Sequence, residues 1–347
     1  MSQADIEYPF ATPPQAAQVL AVADGIYWLR MPLPFALDHI NLWLLEDLDG
    51  WAIVDTGLNT AQIKTLWNTL LDDERFKQRI TRIVITHHHP DHLGLAGWLH
   101  ERTGAQITIT QTEWLTAHRI YDDIDAAIKT HMLAFYAQHG LDEQRLQSMR
   151  ELGNRYRLAV SPPPTIHNVM RAGEALLIGG REWQVIIGLG HAPEHACLYC
   201  RAQNVLIAGD QILPKITPNI MLSAAQPYAN PLQDYLDSFD AFAELAADTL
   251  VLPSHGLPFY GLHGRIADLR RHHHERLARL IEHLAQPQSA ADLLPMLFRR
   301  TLDAHHLMFA MGESLAHLAH LRASGEAVEE SRNGISYFQQ SARGMVA

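Results

Sequence analysis

Short apolar, β-branched runs, each closed by a turn that carries a His or an Asp, recur along this chain. Ile83-Val84-Ile85 runs into Thr86-His87-His88-His89-Pro90-Asp91-His92. Val205-Leu206-Ile207-Ala208 ends in Gly209-Asp210, and Leu250-Val251-Leu252 ends in Pro253-Ser254-His255. Runs of this length bounded by turn residues predict buried strands. Between 111 and 160 the rhythm becomes helical, with apolar residues at Ile120, Ile124, Ile128, Met132, Phe135 and Tyr136. Ser161-Pro162-Pro163-Pro164 stops that stretch. Beyond 262 three helices are predicted: from Ile266 to Ala285, from an N-cap at Ser289 to Phe298, and from Ala304 to Ala323, ending at Ser324-Gly325. A short polar segment with Ile335, Tyr337 and Phe338 follows and predicts a hairpin.

The turns carry the chemistry. His87, His89, Asp91 and His92 place four ligand-type side chains within six positions. In an extended segment His87 and His89 point one way and His88 the other. Pro90 turns the chain, so that Asp91 and His92 reach a second metal beside the first. Gly188-Leu189-Gly190-His191, Gly209-Asp210 and Ser254-His255 then supply further ligands at strand ends, where loops present functional groups on a rigid sheet. Neutral imidazoles with carboxylates suit a borderline divalent ion such as Zn²⁺, with Mn²⁺ or Fe²⁺ as alternatives.

Over roughly residues 25–260 these motifs, with Asp55 in Ile53-Val54-Asp55-Thr56-Gly57, resemble the metallo-β-lactamase superfamily of hydrolases. The resemblance implies an α/β fold, a four-layer αβ/βα sandwich with metals at one edge between two sheets. It assigns His87, His89 and His191 to one ion, Asp91, His92 and His255 to another, and Asp210 as the bridge. Asp55 braces the histidine loop rather than ligating. Redox members carry Glu where this chain has His89. One-iron persulfide members lack part of the second-site set, which is complete here. The best-known β-lactamases have Cys in the bridging-acid region, where this chain has Asp210. The pattern is therefore similar to the glyoxalase II, lactonase and nuclease branches. The tail, 262–347, resembles the winged-helix domain of the lactamase-β-2-like mitochondrial branch, on Leu293-Leu294-Pro295-x-Leu297-Phe298 and Leu315-Ala316-His317-Leu318. The expected organisation is an extension over 1–24, a catalytic domain over 25–261 with a helical insertion at about 111–165, and the winged-helix-like tail.

Such a ligand set implies hydrolysis. Two divalent ions about 3.5–4 Å apart share a water, lower its pKa and stabilise the charge that develops on the substrate oxygen. The resulting bridging hydroxide attacks an acyl carbon or a phosphorus, and Asp91, with Asp210 the acid expected to be catalytic, ligates and carries the proton to the leaving group. Charge narrows the choice. The net charge is −11 and the longest basic clusters are Arg270-Arg271 and Arg299-Arg300. The helix from Ala304 to Ala323 carries one Arg, Arg322, and no Lys, so DNA binding is not expected. A small-molecule thioester or lactone is the expected substrate, and a phosphodiester or RNA of the lactamase-β-2-like type is the alternative. Met132, Phe135 and Tyr136 are candidates for an acyl-pocket wall, and Lys215 for a coenzyme A phosphate. The content of 47% hydrophobic and 19% charged residues is that of a globular chain. The first 20 residues carry no Lys or Arg and no apolar h-region, so a cytoplasmic protein without membrane contact is expected. The tail could support a homodimer. Cys197 and Cys200 are expected to be buried and inert, and His272-His273-His274 to be solvated.

Overall fold

The computed structural model describes residues 6–74, 79–298 and 301–342; Arg299-Arg300 lie outside them. The chain divides into two compact units. The first comprises 1–122, 156–218 and 238–267; the second comprises 123–155, 219–237 and 268–347.

The first unit holds two β-sheets. One sheet runs in chain order through Val19–Ala23, Ile26–Pro32, His39–Asp47, Gly50–Val54, Ile80–Val84, Gln106–Ile109 and Asn168–Val169. Its first strands are antiparallel; from Gly50–Val54 onward neighbours are parallel. The other sheet is ordered Leu250–Pro253, Val205–Gly209, His195–Cys200, Arg181–Gly188 and Ala175–Ile178. Side chains alternate across each strand, and both faces of the first sheet are apolar. Trp28, Trp43, Val54 and Val84 meet Trp183, Val185, Leu198 and Ile207 of the second sheet. Leu29, Leu42, Ile53 and Ile83 face the other way, onto Ile63 and Trp67 of the helix Ala61–Asp72 and Leu99 of the helix Ala96–Thr103. The expected sandwich with outer helices is therefore present. Cys197 and Cys200 are free and buried, and the Cys197 thiol donates to Ala208 O.

The insertion is not one continuous helical pattern. Helices run over Gln111–Tyr121, Ala127–Gln138, Glu143–Glu151 and Arg155–Ala159. The expected stripe fails at Ile124, which is 76% exposed. The Asp123 carboxylate accepts from Ala127 N at 2.8 Å and Ile128 N at 3.1 Å, so it caps a new helix where periodicity alone continues the old one. Residues 123–155 belong to the second unit, with 219–237 and 268–347.

In the second unit the helices Leu262–His283 (from 268 onward) and Ala304–Ala323 are followed by the hairpin Ala327–Arg332/Ile335–Gln340. Asn333 and Gly334, at φ 52° and 80°, make the turn. The middle helix shrinks to Leu294–Leu297, because Pro295 restricts the chain to starting a helix there. Ser289 still caps, but only the turn at Asp292. Among the described residues no helix is long and apolar enough to cross a membrane.

His273 corrects the expectation of a solvated triplet. It shares the inward face of its helix with Leu269, Arg276, Leu277 and Leu280, and it is buried. His317 Nδ1 lies 2.8 Å from Glu313 O, which only accepts, so His317 Nε2 is free to accept from His273 Nδ1 at 3.2 Å. Burial, aided by His317, pushes the His273 imidazole down to about 2. Burial and Arg276 push His317 to about 3. Both are depressed below the unfolded value of about 6.5, so below that pH the unfolded chain binds protons that the folded chain refuses. Stability from this pair is present above about pH 6.5 and is lost as pH falls, at up to about 1.4 kcal/mol per pH unit for each group. We predict that His317→Gln roughly halves this contribution. The check is the drop in urea-unfolding stability between pH 7.5 and 5.5, which should be about 1 kcal/mol smaller in the variant than in the wild type; an identical drop refutes the assignment.

Candidate metal centre

The parallel strand Ile80–Val84 delivers the histidine loop at its C-terminal end. His87 is buried. His89 precedes the one-turn helix Pro90–Leu93, whose first-turn proline swings Asp91 and His92 around. Asp55, at the end of the neighbouring strand, adopts φ 62°, a conformation Asp tolerates better than most residues. Its carboxylate accepts from Thr86 N and Thr86 Oγ1, each at 2.8 Å, and from His92 Nδ1 at 2.7 Å. That bond fixes the His92 tautomer and frees Nε2 to face inward.

The distant ligand candidates converge on this loop. His87, His89, His191 and Asp210 form one group; Asp91, His92 and His255 form another. Asp210 lies between them. Its Oδ2 is 3.4 Å from His191 Nε2 and 3.6 Å from His92 Nε2, and its Oδ1 is 3.3 Å from His255 Nε2. Asp91 Oδ2 lies 3.5 Å from His255 Nε2 and 3.7 Å from His92 Nε2. These are longer than good hydrogen bonds. They are the spacings of donors arranged about common centres. His92 Nε2 and Asp210 Oδ1 are buried without a hydrogen bond among the described residues. Buried polar atoms are rarely left so, and the donor set fits divalent cations.

Electrostatics divides the groups. Burial, reinforced by the neighbouring imidazoles, holds His87 and His89 well below the usual histidine range. They are neutral, as a ligand must be. Burial acts to raise Asp91 and Asp210, but His92 and His255 outweigh it and hold both carboxylates down. Against the same burial, Asp91 raises His92 well above the usual range, and Asp210 raises His255 to about 10.

Further side chains support the centre that the sequence did not single out for a role. His195 Nε2 accepts from Asp210 N at 3.0 Å. A Cβ on Gly209, whose φ is 55°, would stand 2.4 Å from the His195 ring, so only glycine fits there. His255 Nδ1 bonds to His39 O at 2.8 Å, and His39 Nε2 accepts from Gly256 N. Glu113, wholly buried, bonds to both the histidine loop and the loop after His191. The signal for His195 was its place four residues after His191; Glu113 and His39 gave none.

The candidate substrate residues fall in both units. Met132, Phe135 and Tyr136 belong to the second unit. Phe135 and Tyr136 are buried, and the Tyr136 hydroxyl donates to Met308 O at 3.0 Å. Lys215 is exposed in the first unit, with its ammonium 5.6 Å from the Tyr8 ring centroid.

Residues 36–255 match the Metallo-beta-lactamase superfamily. The chain belongs to that superfamily. Residues 277–341 match the metallo-beta-lactamase-like C-terminal domain. The solved structure of a beta-lactamase domain protein from Burkholderia ambifaria is 41% identical, with a TM-score of 0.90 over 97% of this chain and 98% of that one. A probable metallo-hydrolase, YqjP, of Bacillus subtilis is 24% identical over 328 residues, 92% of this chain and 99% of its own length. The human acyl-coenzyme A thioesterase MBLAC2 is 22% identical over 244 residues, 68% of this chain and 79% of its own. This chain is thus a member of a metallo-hydrolase superfamily with a His/Asp cluster suited to a divalent metal.

Proposed function

We propose that this protein hydrolyses acyl bonds at two divalent ions, Zn²⁺ foremost, with a small-molecule thioester as the first expectation and a lactone as the second. The observation that carries the reading is the meeting of seven donors in two groups with Asp210 between them. His87, His89 and His191 hold one ion, Asp91, His92 and His255 the other, and Asp210 both. When bound, the pair supplies an ionisable water and positive charge for the developing oxyanion. Asp91 is the half-buried acid at the rim of the centre; it takes the proton from the attacking water and passes it to the leaving group. Asp55, His39 and His195 orient their neighbours and stay out of the reaction. Similarity to an acyl-coenzyme A thioesterase supports the thioester over the lactone.

The phosphodiesterase reading is less favoured. The net charge is −11. The tail has the order of a winged-helix domain, three helices and a hairpin. Its helix Ala304–Ala323 is buried throughout Ala310–Ala319, whereas a reading helix needs a free basic face. In this proposal the tail is a packing element that also supports a dimer, in a cytoplasmic enzyme that binds neither DNA nor membrane.

The test is a panel assay of the metal-loaded protein on acyl-coenzyme A and glutathione thioesters, lactones, a chromogenic β-lactam and bis-nitrophenyl phosphate. Thioesters should give the highest kcat/KM. A clear preference for the phosphodiester overturns the proposal.

A further inference from the structure

Glu113 stands in the first turn of the helix Gln111–Tyr121 and has no solvent exposure. Its Oε2 accepts from His88 N at 2.9 Å and pairs with His88 Nδ1. Its Oε1 accepts from Glu194 N at 2.7 Å. His88 lies between His87 and His89, and Glu194 follows His191 by three residues. One carboxylate therefore ties together the two loops that supply all three imidazoles of one ligand group. The start of the same helix adds to the tie. Thr112 N donates to Glu194 Oε2 at 3.3 Å, and Thr110 Oγ1 to Glu194 O at 3.2 Å. From the other side the Tyr156 hydroxyl donates to His88 O at 2.6 Å.

We propose that Glu113 is a positioning residue that sets the spacing of His87 and His89 against His191, and so the metal affinity of that group. Resting on the two-ion reading above, the inference follows from donor and acceptor counts. Burial alone raises the Glu113 carboxyl, but His88 and the two amides outweigh it and keep it ionised. An ionised carboxylate offers acceptor sites on both oxygens, enough for two amides and an imidazole at once. A glutamine has the same shape, but one of its two ends is an NH₂. That end must face either His88 N or Glu194 N, donor against donor. One loop is then released and one amide is left buried and unpaired, which the structure relieves by moving. Among the described residues, the group Asp91, His92 and His255 makes none of these bonds and should keep its geometry.

The experiment is titration of the full-length metal-free protein with Zn²⁺ alone against a chromophoric chelator, for the wild type and Glu113→Gln. One of the two zinc affinities should weaken about 10–100-fold, the range for loss of a residue that orients ligands, while the other holds. The rise in Tm on zinc addition should shrink in parallel. A purely structural role predicts a lower metal-free Tm with both zinc affinities unchanged, and that result overturns the proposal. If Glu113→Gln does not fold, Tyr156→Phe removes only the hydroxyl bond to His88 O and is titrated in the same way. A several-fold weakening of one affinity supports the clamp, and no change rejects it. A wild type that binds zinc but hydrolyses no thioester, lactone or phosphodiester would reject the proposed activity and leave the clamp standing.

Discussion

Asp210→Ala should lower hydrolysis by about 10²–10⁴-fold, the scale of a removed catalytic acid or base, while the fold survives. The side chain reaches both ligand groups, within 3.6 Å of His191, His92 and His255. Its removal leaves three imidazoles without their shared anion. The backbone is held independently, by Asp210 N donating to His195 Nε2 and by the strand Val205–Gly209 between two neighbours. The variant should therefore unfold at nearly the wild-type urea midpoint and lose bound metal. Asp91→Ala should give a comparable loss of rate with a different signature. In the proposed mechanism Asp91 is the proton carrier, so its removal should distort the pH–rate profile and weigh most on substrates with poor leaving groups. Wild-type turnover in either variant on the best substrate refutes the assignment.

Arg276→Met should cost the second unit about 3–5 kcal/mol, the range for removing one partner of a buried ion pair. Arg276 Nη1 lies 3.0 Å from Glu313 Oε1, and both side chains are about one-tenth exposed. Burial pushes the Glu313 carboxyl up, and Arg276 with Asn219 offsets only part of that rise. Without the guanidinium the buried Glu313 carboxylate loses its cationic partner and keeps the Asn219 amide. The double variant Arg276→Met with Glu313→Leu should recover much of the loss, since a buried pair replaced by apolar groups of similar size is often neutral. The measurement is urea unfolding at pH 8. A double variant as unstable as the single one would mean that packing, including the stack of Arg276 on Phe298, dominates over charge.

The His/Asp cluster was legible because its members lie at or just past the ends of apolar strands, and a strand end is a fixed place. A short apolar run bounded by turn residues identifies the strand, and the next polar residues project from the sheet edge. His87, Asp210 and His255 could be located in this way before any coordinates. The insertion was less legible because helical periodicity does not record interruptions. Asp123 caps through side-chain bonds, and Ile124 continues the apolar spacing while lying in a turn. The burial of His273 was hidden for a related reason. Three adjacent histidines suggest a polar face, yet consecutive helical positions point about 100° apart, and His273 falls on the buried stripe of Leu269, Arg276 and Leu280. Glu113 had no local signature at all. Its value lies in contacts with residues 25 and 81 positions away in the chain, and no spacing rule reaches that far.

The two-ion centre is tested most directly by elemental analysis of protein purified without chelator and then reconstituted with zinc. Two metal ions per chain are expected, falling to about one in His255→Ala, with thioester hydrolysis lost in step with the second ion. A wild type that stays near one ion per chain after reconstitution contradicts the account.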